Sequence, residues 1–102
     1  MPTYGFHPEA LLEYAEAAQY YVREAPPGVA EAFITSVESA VEGILAAPTQ
    51  CRIVEEPGIR RYIFRRFPFV LYYHWDGEQG RVTVYAVMHC SREPGYWRHR
   101  IA

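Results

Sequence analysis

Lysine is absent: all ten basic residues of this 102-residue sequence are arginine. No lysine can therefore act as a base, a Schiff-base former or a phosphate anchor. There is also no glycine-rich phosphate loop, no Gly-x-Ser-x-Gly and no His-Glu-x-x-His. The four histidines are His7, His74, His89 and His99. None pairs with another one helical turn away, and no Cys/His cluster has zinc-site spacing, so no metal or cofactor is expected. The two cysteines, Cys51 and Cys90, form no CxxC pair. In a reducing compartment they are most simply free thiols, although spacing alone leaves a bridge open. No apolar run approaches the roughly 20 residues of a membrane helix. The first residues, MPTYGFHPEA, lack a basic stretch followed by an apolar one. Neither a membrane segment nor a secretory leader is expected, and the cytoplasm is the default location.

What is present suits one small folded domain over residues 1–102. Half the sequence is apolar and 16% is aromatic, which excludes a disordered tail. Charge is unevenly distributed. Residues 1–50 carry seven glutamates against Arg23, a net of −6, and residues 51–102 carry nine arginines against five acids, a net of +4. Such asymmetry points to an anionic partner for the basic half, or to attraction between the two halves.

Thr3–Phe6 is a short candidate strand. A helix then starts at His7-Pro8-Glu9, with proline suited to the first turn and glutamate to the positive end of the dipole. Leu11, Ala15, Ala18 and Val22 recur at helical spacing as its apolar stripe, leaving Glu9, Glu13 and Glu16 in water. Pro26-Pro27-Gly28 stops it. A second helix follows to Pro48, with Phe33, Val37, Ala40, Val41 and Ile44 on its apolar face. Strand patterns occupy Ile59–Phe64, Phe69–Trp75 and Arg81–His89, with a glycine-bearing loop at 76–80. Strict alternation in the last strand puts Val82, Val84, Ala86 and Met88 on one face and Thr83, Tyr85, Val87 and His89 on the other. His74 is expected in the core or against a helix. The expected fold is α+β: a short N-terminal strand, then an antiparallel helical hairpin packed on one face of an antiparallel sheet.

Chemistry, if there is any, rests on arginines, one histidine and tyrosines around that sheet. Arg60, Arg61, Arg65 and Arg66 lie on or beside one strand, Arg81 starts another, and Arg92 follows the last. Guanidinium groups bind phosphate or carboxylate through paired donors. With Tyr73, Tyr85 and Tyr96 for stacking, such a face suits a single-stranded nucleic acid. RNA cleavage needs a base, a cation for the phosphate and an acid, and His89 could serve as one of these. Against this, His89 could simply close a strand and fix its loop, and exposed arginines are ordinarily solvated. Trp97, with Ile101 behind it, is expected to dock the tail on the sheet.

The order of elements resembles the RelE/ParE superfamily of toxins from type II toxin–antitoxin modules. Arg65-Arg66-Phe67-Pro68-Phe69-Val70-Leu71-Tyr72-Tyr73 resembles its R-x-F-P-[YF]-x-[IL]-x-Y strand pair. Val87-Met88-His89-Cys90-Ser91-Arg92-Glu93-Pro94 resembles the V-x-H-x-x-R-[DE]-P segment of the ParE-like branch. Trp97 with Arg100 resembles its W-x-x-R ending, and Phe6-His7-Pro8-Glu9-Ala10 its helix entry. The likeness spans nearly the whole chain and implies a toxin neutralised by a cognate antitoxin.

ParE-like members inhibit DNA gyrase without catalysis, whereas RelE-like members cut mRNA on the ribosome. The long hairpin, the ending and the missing lysines lean toward ParE, a class also known from plasmid stabilization. The net charge of −2 weakens attraction to ribosomal RNA. On this resemblance, Arg60, Arg61, Arg66, Tyr73, Arg92, Trp97 and Arg100 would form a surface for target or antitoxin. The nuclease alternative would use Arg65, Arg81, His89 and Tyr96. A non-toxic member that keeps the fold is the third alternative. A homodimer through the hairpin or a toxin–antitoxin hetero-oligomer would be the assembled form.

Overall fold

A computed structural model describes residues 1–101. The elements run β1 (Thr3–Phe6), α1 (Pro8–Glu24), α2 (Val29–Ala46), β2 (Ile53–Glu55), β3 (Ile59–Ile63), β4 (Phe69–Asp76) and β5 (Arg81–His89), then a short 3-10 turn, Arg98–Arg100. The sheet order is β1-β5-β4-β3-β2. Strands β3 to β5 form the expected antiparallel meander, β2 adds to it antiparallel to β3, and β1 joins β5 in parallel, Thr3 opposite Arg81 through Phe6 opposite Val84. The edge strand β2 had no counterpart among the expected elements. It is only three residues long, too short for a clear periodic signal.

Helix α1 begins where the sequence places it. The His7 side chain accepts a hydrogen bond from the Glu9 N–H at 3.1 Å, and Pro8 opens the first turn. Its buried face, however, is not the expected stripe. Leu11 and Val22 are 53% and 71% exposed, and Ala15 is exposed as well. Of the expected stripe only Ala18 packs against the core, beside Ala10, Glu13, Tyr14, Ala17 and Tyr21, which turn inward. The reason is ring area. Tyr21 packs its ring 5.2 Å from Phe33 and 5.4 Å from Phe67, and Tyr14 stacks 5.9 Å from Phe6. Two tyrosines and two alanines let the helix lie close to an aromatic core, and they outweigh a leucine and a valine at the rival positions. Helix α2 buries the expected residues, Phe33, Val37, Ala40, Val41 and Ile44.

The alternation expected along β5 holds only as far as Val84. The β4–β5 register shifts between Tyr72, opposite Ala86, and Tyr73, opposite Val84, which leaves Tyr85 as the extra residue of a bulge. Val82 and Val84 therefore share the helix-side core with Val87, while Ala86 and Met88 lie on the opposite face with Val70, Tyr72 and Trp97. The sequence could not reveal this slip, because valine or alanine fills both phases. On β4, Phe69, Leu71 and Tyr73 face the helices and Val70 and Tyr72 do not. His74 shares the phase of Val70 and Tyr72 and is only half-buried, so it does not pack against a helix as expected. The C-terminal segment covers that second face: Trp97 is buried and stacks 4.5 Å from Tyr72.

Candidate functional site

Strand β1 is too short to cover all of β5. The last bond along that edge is the His7 N–H to the Val84 carbonyl, at 2.8 Å. Beyond it, the bulged strand presents the Tyr85 carbonyl and the Val87 N–H with no strand beside them. Side chains take the strand's place. Glu13 Oε1 accepts from the Val87 N–H at 3.0 Å, and Arg100 Nη1 donates to the Tyr85 carbonyl at 2.9 Å. Arg100 and Glu13 also pair through two parallel bonds, and the Tyr96 hydroxyl donates to the same carboxylate. Nearby, His99 Nε2 lies 3.1 Å from Glu9.

The electrostatics follow from this geometry. Burial alone would raise the Glu13 carboxyl, but the hydrogen bonds from Arg100, Tyr96 and Val87, with the Arg100 charge, outweigh it and hold the group below the carboxylate range. The Tyr96 phenol is pushed well above its ordinary value, first by burial and then by the carboxylate that its hydroxyl serves. Arg100 is raised by its bond to Glu13. The expectation that Glu13 stays in water is thus corrected: its carboxylate ties α1 to β5 and to the C-terminal turn. Its phase with Ala10, Tyr14 and Ala17 was the signal, readable once the tyrosines count as apolar.

The four residues of the nuclease alternative are dispersed. Arg81 and His89 stand at the two ends of β5. Eight residue steps at about 3.3 Å put them roughly 26 Å apart. Arg65 is exposed just past β3, beside α2. His89 and Tyr96 do meet, at a hollow of about 210 Å³ that they line with Glu16, Phe69 and Arg92. There the Arg92 guanidinium lies 3.8 Å over the Tyr96 ring. His89 packs edge-on against Phe69 at 5.1 Å, and its Nδ1 accepts from the Ser91 N–H at 3.0 Å, with Ser91 Oγ at 2.7 Å. Only Nε2 is left for other chemistry. Tyr96, tied to a carboxylate and raised, is a poor proton donor.

The residues expected on a binding surface divide similarly. Arg66 and Arg92 are exposed and Arg61 is half-buried. Tyr73, Trp97 and Arg100 are 0%, 2% and 8% exposed, so in this structure they are built into the fold and do not face solvent. The Tyr73 hydroxyl donates to the Pro48 carbonyl at 3.0 Å. Arg60 donates to the Cys51 and Thr49 carbonyls at 2.7 and 3.0 Å and so fastens the α2–β2 loop. Cys51 and Cys90 are free thiols. Among the described residues, no cluster of His, Cys, Asp or Glu could hold a metal ion, and no helix is long and apolar enough to cross a membrane.

The model of the ParE toxin of the type II toxin–antitoxin system parDE matches residues 4–94. Among curated proteins, none matches the chain by sequence. Two solved structures share the fold. A chain of the chromosomal ParDE system from P. aeruginosa superposes with a TM-score of 0.72 at 19% identity, over 87% of this chain and 95% of that one. The isolated E. coli RelE toxin superposes with a TM-score of 0.63, also at 19% identity, over 97% of this chain and 95% of that one.

Proposed function

The chain belongs to the ParE toxin family of type II toxin–antitoxin systems, and on that premise we propose that it acts by binding and inhibiting DNA gyrase, without catalysis, until a cognate antitoxin covers it. What carries this reading is the dispersal of the nuclease residues. Arg81 lies at one end of β5 and His89 at the other, and Arg65 lies outside the hollow that His89 shares with Tyr96. Cleavage through a 2′-hydroxyl needs base, acid and phosphate-binding cation within a few ångströms of one phosphate. A binding toxin needs only a stable, shaped surface. The Glu13–Arg100 bridge supplies stability at the end of the sheet where the family-like ending lies.

The RelE-type alternative draws on one observation, the shared hollow of His89, Arg92 and Tyr96. The deciding experiment is DNA supercoiling by purified gyrase, titrated with the folded chain free of antitoxin, beside an mRNA-cleavage assay on ribosomes. Loss of supercoiling with intact mRNA is expected. Cleaved mRNA with unaffected supercoiling would overturn the proposal, and no effect in either assay would leave a non-toxic member of the fold.

A further inference from the structure

A groove of about 400 Å³ lies between α2 and the turn that follows β3. One wall is Thr35, Ser36 and Ser39, which share a face of α2, and the other is Tyr62 with Arg65 and Arg66. Among the described residues, neither arginine enters an ion pair, and no acidic side chain lines the groove. Three arginines elsewhere are occupied, Arg98 by Glu55, Arg100 by Glu13 and Arg60 by loop carbonyls, whereas these two lie side by side with no such partner. Two adjacent unpaired guanidinium groups, which only donate, face a row of hydroxyls that can donate too, a setting that takes a carboxylate or phosphate.

We infer that this groove receives an acidic segment of a protein partner, with carboxylates on Arg65 and Arg66 and the α2 hydroxyls donating to the remaining oxygens. A nucleic acid fits less well, because it needs a continuous basic track and open aromatic faces for its bases. Here Phe64 is buried, and α2 carries exposed Glu31, Glu38 and Glu42, which repel a phosphate chain running past the groove. A short acidic peptide avoids that repulsion by ending where the arginines end. The inference rests on the toxin reading only in naming the antitoxin as the partner that carries the segment.

The test uses the full folded chain and needs neither gyrase nor ribosomes, so its failure leaves the gyrase proposal standing. A short acetylated, amidated peptide of alternating glutamate and glycine is titrated while the arginine Nε–H resonances are followed by NMR, and a single-stranded oligouridylate is titrated in parallel. The Arg65→Gln/Arg66→Gln variant is compared with Arg23→Gln/Arg52→Gln, which removes the same charge from exposed positions elsewhere. Ser39→Leu fills the groove at constant charge. Saturable peptide binding is expected, weakened about tenfold by the first pair and by Ser39→Leu, and unchanged by the control pair. No binding, equal weakening by both pairs, or tighter oligouridylate binding at the same resonances would overturn it.

Discussion

Arg100 reaches Glu13 through two parallel hydrogen bonds, Nη1 to Oε1 and Nη2 to Oε2, each 2.9 Å long. The two residues are separated by almost the whole chain, and together they finish the edge of β5 that β1 leaves uncovered. Arg100 is buried and Glu13 mostly so. Removing one partner strands the other's charge, which costs about 3–5 kcal/mol when a buried pair is broken. Glu13→Leu and Arg100→Met alone are each expected to lose stability in that range by urea unfolding. The double variant should lose at least about 2 kcal/mol less than the sum of the two, because no stranded charge remains. Simple additivity would show that the pair is not coupled.

Stability should fall at both ends of the pH scale. The folded Glu13 carboxyl lies below its ordinary value of 4.5. The unfolded chain therefore takes up a proton first as pH drops, and stability present above about 4.5 is lost as pH falls through the folded value. The folded Tyr73 and Tyr96 phenols are raised above the ordinary 10.0. Between the ordinary and the raised values the folded state holds protons that the unfolded state has lost, so stability declines as pH climbs past about 10. Unfolding free energies measured across the scale check both arms. Tyr96→Phe should flatten part of the alkaline arm, and an unchanged arm would assign it elsewhere.

The two faces of α1 should respond in opposite ways to substitution. Leu11→Ser and Val22→Ser alter residues 53% and 71% exposed, and their effect on stability is expected within about 0.5 kcal/mol. Tyr21→Ala empties a ring site among Phe33, Phe67 and Phe69, and a loss of about 3–5 kcal/mol is expected. Comparable losses from both sets, by thermal or urea unfolding, would mean that the helix is rotated from the position described.

How far the sequence foretold this molecule depends on the residue. The helix ends were legible because Pro8, Pro26, Pro27 and Pro48 punctuate them. The meander was legible because aromatic and β-branched runs alternate with glycine-bearing turns. The face of α1 was not, since the aliphatic stripe and the alanine–tyrosine stripe both keep helical spacing, and only contact with Phe33 and Phe67 decides between them. The Tyr85 bulge was hidden by valines in both phases. For the candidate site, exposed Arg65, Arg66 and Arg92 were legible as free cations. The burial of Tyr73, Trp97 and Arg100 depends on contacts from distant segments that no local pattern records.

His89 supplies the sharpest functional prediction. Its Nδ1 is committed to the Ser91 N–H, and its ring leans on Phe69, so its place is explained by the turn that it closes. If gyrase binding is the activity, His89→Gln removes a ring contact and one turn bond, and inhibition of supercoiling should stay within about threefold of the parent, a loss of under about 0.7 kcal/mol. Arg92, whose guanidinium is exposed above Tyr96, would matter more to a binding surface, and Arg92→Ala should weaken inhibition by at least about tenfold. The nuclease alternative orders the two variants the other way, since loss of a general base or acid costs about a hundredfold or more, whatever the contact surface does. Dose–response curves for the two variants in the supercoiling assay and in mRNA cleavage on ribosomes, with circular dichroism as the check on folding, separate these orders. A folded His89→Gln protein with no inhibition left would mean that the histidine does more than close a turn.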